Sequence, residues 1–218
     1  MTRHVLILGE NTFPFHRIEA MGPLLSDAIG EEATVEITTD REMLSALDSY
    51  DVLVDYLTDS SFTDEQLDGL HAFIENGGGY FPIHCASDLT NTASDDPDEL
   101  FDSREEPFPE LRALIGGHFL THPEQSEFEV IIEADHPITD GVTDFTVFDE
   151  PYQVDVTDDI TVLATMNHPD LDAYPVLWTR TRGDGRICYL SLGHTEEALT
   201  NEAVQRIIQN ALGWLTAH

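Results

Sequence analysis

Lysine is absent from this sequence. All nine basic residues are Arg, set against 43 Asp and Glu, which leaves a formal net charge of −34. Without Lys there is no P-loop lysine and no Schiff-base lysine. So few positive charges also argue against nucleic-acid binding, which needs Lys and Arg to neutralise phosphates. Cysteine is scarce as well. Cys85 and Cys188 lie far apart with no metal-type spacing, so the reduced thiols of a cytoplasmic protein are expected. No apolar stretch approaches the ~20 residues needed to span a bilayer, and no membrane association is expected. The start of the chain does not read as a leader, because Arg3 and His4 run straight into Val5–Leu8, which Gly9 ends.

What is present reads as a globular protein. Hydrophobic residues make up 41% of 218 positions against 24% charged, enough for one domain with a substantial core. The excess of acid repels itself at low ionic strength. At molar salt the Debye length falls to about 3 Å and that repulsion largely disappears. The acids are spread along the chain rather than gathered in one tail for a basic partner, so the composition points to a salt-rich cytoplasm.

Strand-like and helix-like segments alternate from the start. Val5–Leu8 reads as a buried strand, Ile18–Ile29 as a helix, and Thr34–Ile37 and Val52–Tyr56 as further strands. Thr63 opens a second helix with Asp64 and Glu65 in its first turn, where negative charge meets the positive helix end. Leu67, Leu70, Phe73 and Ile74 keep helical spacing until Gly77-Gly78-Gly79, and Tyr80–Ile83 is then a buried strand. This alternation predicts a doubly wound α/β sheet, mainly parallel, with helices on both faces. Residues 88 to 109, rich in Asp, Pro and Ser, read as an exposed insertion. Strands are predicted at Phe128–Ile132, Phe145–Phe148, Thr161–Ala164, Val176–Trp178 and Ile187–Leu192, and a docked C-terminal helix at Glu202–Leu215. No repeat or linker interrupts residues 1–218, so one domain is expected.

Ligands of an open parallel sheet sit outside the carboxyl ends of its strands. The residues found there are Glu10-Asn11-Thr12 with Phe15-His16-Arg17, Thr58-Asp59-Ser60, His84-Cys85-Ala86-Ser87, and Gly193-His194-Thr195-Glu196. His84-Cys85 follows a triple glycine and a buried strand, an elbow where nucleophiles often stand, though a lone Cys more often simply packs. His118 and His122 have a spacing that would ligate metal on a helix, but Gly116-Gly117 before them and Pro123 after predict a loop. Asp149-Glu150-Pro151-Tyr152 follows a strand and either supplies a general acid or base or forms a solvated acidic loop.

Several segments in order resemble the trehalose-utilisation (ThuA-like) family. They are Asn76–His84, Ile115–Phe119 with His122-Pro123, His136–Thr139, Asp149–Tyr152, Pro175–Arg180 and Gly183–His194. The resemblance implies a flavodoxin-like, class I glutamine amidotransferase-like sheet, here in an acidic member of haloarchaeal type. It also implies a role in sugar catabolism, with His16, His84, His122, Glu150 and His194 as pocket residues. The sequence departs from a glutaminase elbow, Gly-x-Cys-x-Gly, because His84 stands at the tip with Cys85 one residue later.

The leading expectation is therefore an enzyme acting on a glycoside or keto-sugar. His84, His194 and Glu150 would be its acid/base groups, or with His122 the ligands of a divalent metal. Asn11, His16, His122 and Tyr152 would contact a small sugar. One alternative is a non-catalytic sugar-binding or regulatory module. Another is a Cys-His-Glu amidotransferase or hydrolase built from Cys85 and the His194-x-Glu196 pair. Homo-oligomers are common in such folds, but no interface pattern is legible.

Overall fold

Val5, Leu6, Ile7 and Leu8 are all fully buried, as a strand covered by helices on both faces must be. In the computed structural model, which describes residues 2–89 and 108–217, they form the body of β1 (Arg3–Gly9). The chain continues through α1 (Ile18–Ile29), β2 (Ala33–Thr38), β3 (Val52–Tyr56), α2 (Asp64–Glu75) and β4 (Gly79–Pro82). After the predicted insertion come α3 (Pro109–Ile115), β5 (Gly117–Thr121), β6 (Ser126–Ile132), β7 (Phe145–Asp149) and β8 (Gln153–Val156). The last elements are β9 (Thr161–Asn167), β10 (Pro175–Arg182), β11 (Gly185–Leu190), α4 (Glu196–Thr200) and α5 (Glu202–Leu215).

Nine strands form one sheet in the order β2-β1-β3-β4-β11-β10-β9-β6-β7. The first five run parallel, and every later step is antiparallel. β9 and β7 therefore share the direction of the parallel block, and only β10 and β6 oppose it. Strand alternation divides the core in two. Val5 and Ile7 join Leu25 of α1, Leu199 of α4 and Ile207 of α5 on one face. Leu6 and Leu8 join Leu70 of α2, Leu114 of α3, Phe119 of β5 and Val154 of β8 on the other. Since β2 lies on one side of β1 and β3 on the other, the strand order reverses at β1/β3, where open α/β sheets leave a crevice.

Local chemistry explains the helix starts. The Thr63 hydroxyl accepts from Gln66 N–H at 3.2 Å, and the Gln66 side chain accepts from Thr63 N–H at 3.1 Å, a capping box. Between β2 and β3 the chain crosses back through two short 3₁₀ turns, Arg41–Ser45 and Leu47–Ser49, against which α2 packs. A methyl group at Gly69 would strike the Leu44 carbonyl oxygen.

Two expectations change. The stretch Leu114–Pro123, expected as a loop, holds the end of α3 and all of β5. Its glycines mark junctions, with Gly116 taking the left-handed turn (φ 86°) that ends α3. β5 pairs with β8 outside the main sheet, Phe119 opposite Val154, and both side chains are buried. Of the predicted insertion, residues 90–107 lie outside the described residues, and Pro109 already begins α3.

Candidate metal centre

Four strands deliver their following residues to one spot. His16 closes the loop after β1, where Ile18 N–H returns to the Glu10 carbonyl at 2.8 Å. His84 follows β4, Glu150 follows β7, and His194 follows β11. His16 and His84 both have left-handed backbones, at φ 54° and 48°, and only Leu89 (54°) joins them among the described non-glycine residues. Such a conformation costs about 1–2 kcal/mol per residue and collects where function over-determines the chain. Gly193, at φ 138°, turns the chain just before His194.

The side chains converge closely. His16 Nε2 lies 2.8 Å from His194 Nδ1 and 3.1 Å from His84 Nε2. Glu150 Oε2 lies 3.0 Å from His194 Nδ1 and 3.4 Å from His84 Nε2. Ligand atoms from all four residues fall within 4.8 Å of one another. His122 Nε2 stands at the rim, 3.6 Å from the same Glu150 oxygen.

The outer nitrogens determine what the inner ones offer. His84 Nδ1 bonds the Ser191 carbonyl at 2.7 Å, and His122 Nδ1 bonds the Pro123 carbonyl at 2.7 Å. A carbonyl can only accept, so both Nδ1 atoms carry hydrogen, and Nε2 is the nitrogen of each ring that faces inward, offering a lone pair whenever the ring is neutral. His16 Nδ1 rests 3.0 Å from the Thr58 hydroxyl. Ring nitrogens tied in this way are the usual outer support of metal-binding imidazoles.

Charge follows from this packing. Burial pushes the Glu150 carboxyl up, but hydrogen bonds from His194 and His84 outweigh it and hold the group well below the usual carboxylate range. Burial pulls His84 down, yet the Glu150 bond and the charges of Asp149 and Glu150 leave it raised. Burial, reinforced by His84 and His194, drives His16 well below its ordinary value, so this ring stays neutral. Three imidazoles and one carboxylate form a donor set suited to zinc, manganese or ferrous iron.

A supporting shell holds these groups. Asp149, fully buried, accepts N–H bonds from Gly193 (2.7 Å), His194 (3.1 Å) and Thr195 (3.1 Å). The Tyr189 hydroxyl donates to the His84 carbonyl at 2.9 Å, and the Tyr56 hydroxyl to the Gly193 carbonyl at 2.8 Å. The Tyr152 ring stacks on His84 with centroids 4.1 Å apart and touches Phe119 at 4.3 Å.

Of the residues singled out in the sequence, His16, His84, His194 and Glu150 meet, and His122 flanks them. Tyr152 is buried behind His84. Asn11 faces elsewhere, its side-chain oxygen accepting from Glu19 N–H at 3.1 Å. The His118–His122 pair does not converge, because His118 turns toward Asp155, 4.0 Å away. Cys85 is fully buried and burial pushes its thiol well above the usual range, the opposite of an activated nucleophile. Glu196 is exposed in the first turn of α4, and the carboxylate that meets His194 is Glu150. The backbone partner Ser191 left no mark in the sequence, since any residue presents a carbonyl. Asp55, a lone acid within the apolar run Val52–Tyr56, was a visible signal: it is buried and accepts from the Tyr80 hydroxyl at 2.6 Å.

A family model described as ThuA, trehalose utilisation, matches residues 4–215. Among solved structures the chain is similar to a ThuA-like protein from Bacteroides uniformis ATCC 8492, with 21% identity and TM-score 0.74 over 98% of this chain and 91% of that one. It is also similar to a ThuA-like protein from Parabacteroides merdae ATCC 43184, with 15% identity and TM-score 0.78 over 99% and 90%. A cytoplasmic protein from Salmonella typhimurium LT2 shares 14% identity at TM-score 0.67 over 97% and 99%. Likeness at these identities shows the fold, a mainly parallel α/β sheet with flanking helices. No curated protein matches the sequence significantly. Among the described residues no helix is long and apolar enough to cross a membrane.

Proposed function

The chain belongs to the trehalose-utilisation (ThuA) family, and from that premise we propose that it is a sugar-processing enzyme with a divalent cation held by His16, His84, His194 and Glu150. The observation that carries this reading is the convergence of four ligand atoms within 4.8 Å, with the outer nitrogens of His84 and His16 already engaged. Three imidazole rings of like character crowd together favourably only around a shared proton or a shared cation. A bound cation would polarise a carbonyl or hydroxyl of the substrate.

The substrate class, a glycoside or its keto form, follows from the family and from the suitability of imidazole for moving a proton beside a ketone. His122 has the best access among the imidazoles around Glu150, its side chain 22% exposed against 17% for His194 and none for His84. It is therefore the group assigned to exchange a proton with substrate. Tyr152 keeps the His84 ring in plane by stacking rather than by touching sugar. The acid-rich, lysine-free composition adds that the enzyme works in a salt-rich cytoplasm.

The test is metal content by mass spectrometry on protein purified in concentrated KCl, beside His84→Ala and His194→Ala. One equivalent of zinc, manganese or iron, lost in both variants together with turnover of keto-glycosides, is expected. Sugar binding without metal and without turnover would instead make the chain a non-catalytic binding module.

A further inference from the structure

We infer that a cavity of about 570 Å³ beside this centre, lined by Glu10, Asn11, Thr12, Thr39, Arg41, Asp59 and Ser61, is a second sugar subsite that holds the ring next to the one being processed. This rests on the sugar-processing reading above.

The cavity occupies the carboxyl ends of β1, β2 and β3, over the β1/β3 reversal where open α/β sheets take their ligands. It adjoins the histidines by covalent connection. Asp59 follows Thr58, whose hydroxyl touches His16 Nδ1 at 3.0 Å, and adjacent Cα atoms are about 3.8 Å apart. The loop between β1 and α1 serves both places, with Glu10, Asn11 and Thr12 at one end and His16 at the other. Between them Phe15, half-buried, sets its ring edge-on against His16, centroids 4.8 Å apart.

The lining chemistry selects a neutral polyol. Glu10 Oε1 accepts Asp59 N–H at 2.7 Å. Arg41 Nη2 reaches Glu10 Oε2 at 3.4 Å and Asp59 Oδ2 at 3.5 Å, and Arg41 Nη1 donates to the Ser61 carbonyl at 3.3 Å. Two carboxylates against one guanidinium repel a phosphate, while the guanidinium between the carboxylates repels a metal ion. A sugar hydroxyl donates to the acids and accepts from the arginine, so it satisfies both. Arg41 and Asp59 side chains are 22% and 18% exposed, within reach of a ligand but held in place. The hydroxyl-bearing residues Thr12, Thr39 and Ser61 are exposed around them.

The experiment is calorimetric titration of the whole chain, in concentrated KCl, with trehalose and with methyl α-D-glucopyranoside as one-ring control. The wild type should bind the disaccharide about tenfold more tightly, the gain expected from further charged hydrogen bonds. Arg41→Gln should erase that preference while metal content stays as in the wild type. Thr39→Val, at an exposed position that leaves folding untouched, should reduce it in the same direction. Equal binding of the two sugars, no binding of either, or a preference that survives in both variants would overturn the subsite. A wild-type chain free of metal that still prefers the disaccharide would refute the metal centre and leave the subsite standing.

Discussion

Asp149 offers the sharpest test of how the candidate centre is built. Its carboxylate is fully buried and is the shared acceptor for the N–H groups of Gly193, His194 and Thr195, the segment that presents His194. Asp149→Ala strands three donors, one of them buried and two part-buried. One unsatisfied buried donor costs about 1–3 kcal/mol. Against that, burial raises the Asp149 carboxyl, so its removal also relieves an unfavourable buried charge. The expected net loss is about 3–5 kcal/mol. At about 2–4 °C per kcal/mol for a chain of this length, Tm should fall by roughly 10 °C. Asp149→Asn keeps one oxygen but sets an amide NH₂ against one of the donors, and should lose about half as much. Circular-dichroism melts in concentrated KCl measure the first effect. A chelator-competition titration measures the second, a drop in metal affinity of about 10–100-fold for removal of a supporting group. If Asp149→Ala melts within about 2 °C of the wild type and binds metal equally well, the three bonds do not hold the loop. The Tyr56 bond to the Gly193 carbonyl and the Thr195 bond to the Phe148 carbonyl would then be sufficient.

Other expectations concern the frame of the site. Burial pushes the Asp55 carboxyl up to about 6 despite its bonds from Tyr80 and Leu57, against about 3.9 in an unfolded chain. The folded state therefore holds the proton more tightly, and the contribution, about 3 kcal/mol in all, is full below pH ~4 and lost as pH rises through ~6. Asp55→Asn should flatten urea-unfolding stability across that window, and an unchanged slope would contradict the assignment. Gly69→Ala, driven against the Leu44 carbonyl, should cost about 1–3 kcal/mol in urea unfolding; a neutral result would mean that α2 can slide off the turn. With a net charge of −34, the chain should unfold on dilution from about 1 M to about 0.1 M KCl. An identical melt at both concentrations would remove self-repulsion as a factor.

Much of this architecture was legible from local pattern alone. The ranges read for α1, β3 and α5 coincide with the observed Ile18–Ile29, Val52–Tyr56 and Glu202–Leu215, because periodicity and capping are properties of neighbouring residues. The order of strands and helices also implied that residues after β1, β4 and β11 would share one edge, which is why His16, His84 and His194 stood out. The β5–β8 ribbon was hidden, since a five-residue and a four-residue strand become strands only by pairing with each other across intervening chain. The acids were ambiguous for the same reason. Asp149 and Glu150 are adjacent, Glu196 stands two places from His194, and composition ranks none of them above the others. The tertiary fold decides among them, because successive side chains along an extended backbone point in opposite directions. Asp149 turns back to the backbone of the His194 loop, Glu150 turns to the histidines, and Glu196 is left in solvent. His118 and His122, four places apart, would share a side of a regular strand, but the register of β5 shifts between Phe119 and Thr121, and they part, one toward Asp155 and one toward Glu150. Sequence alone determined which residue types reach the carboxyl edge of the sheet. Which of them face one another depended on the handedness of each chain exit, and that exists only once the strands are paired.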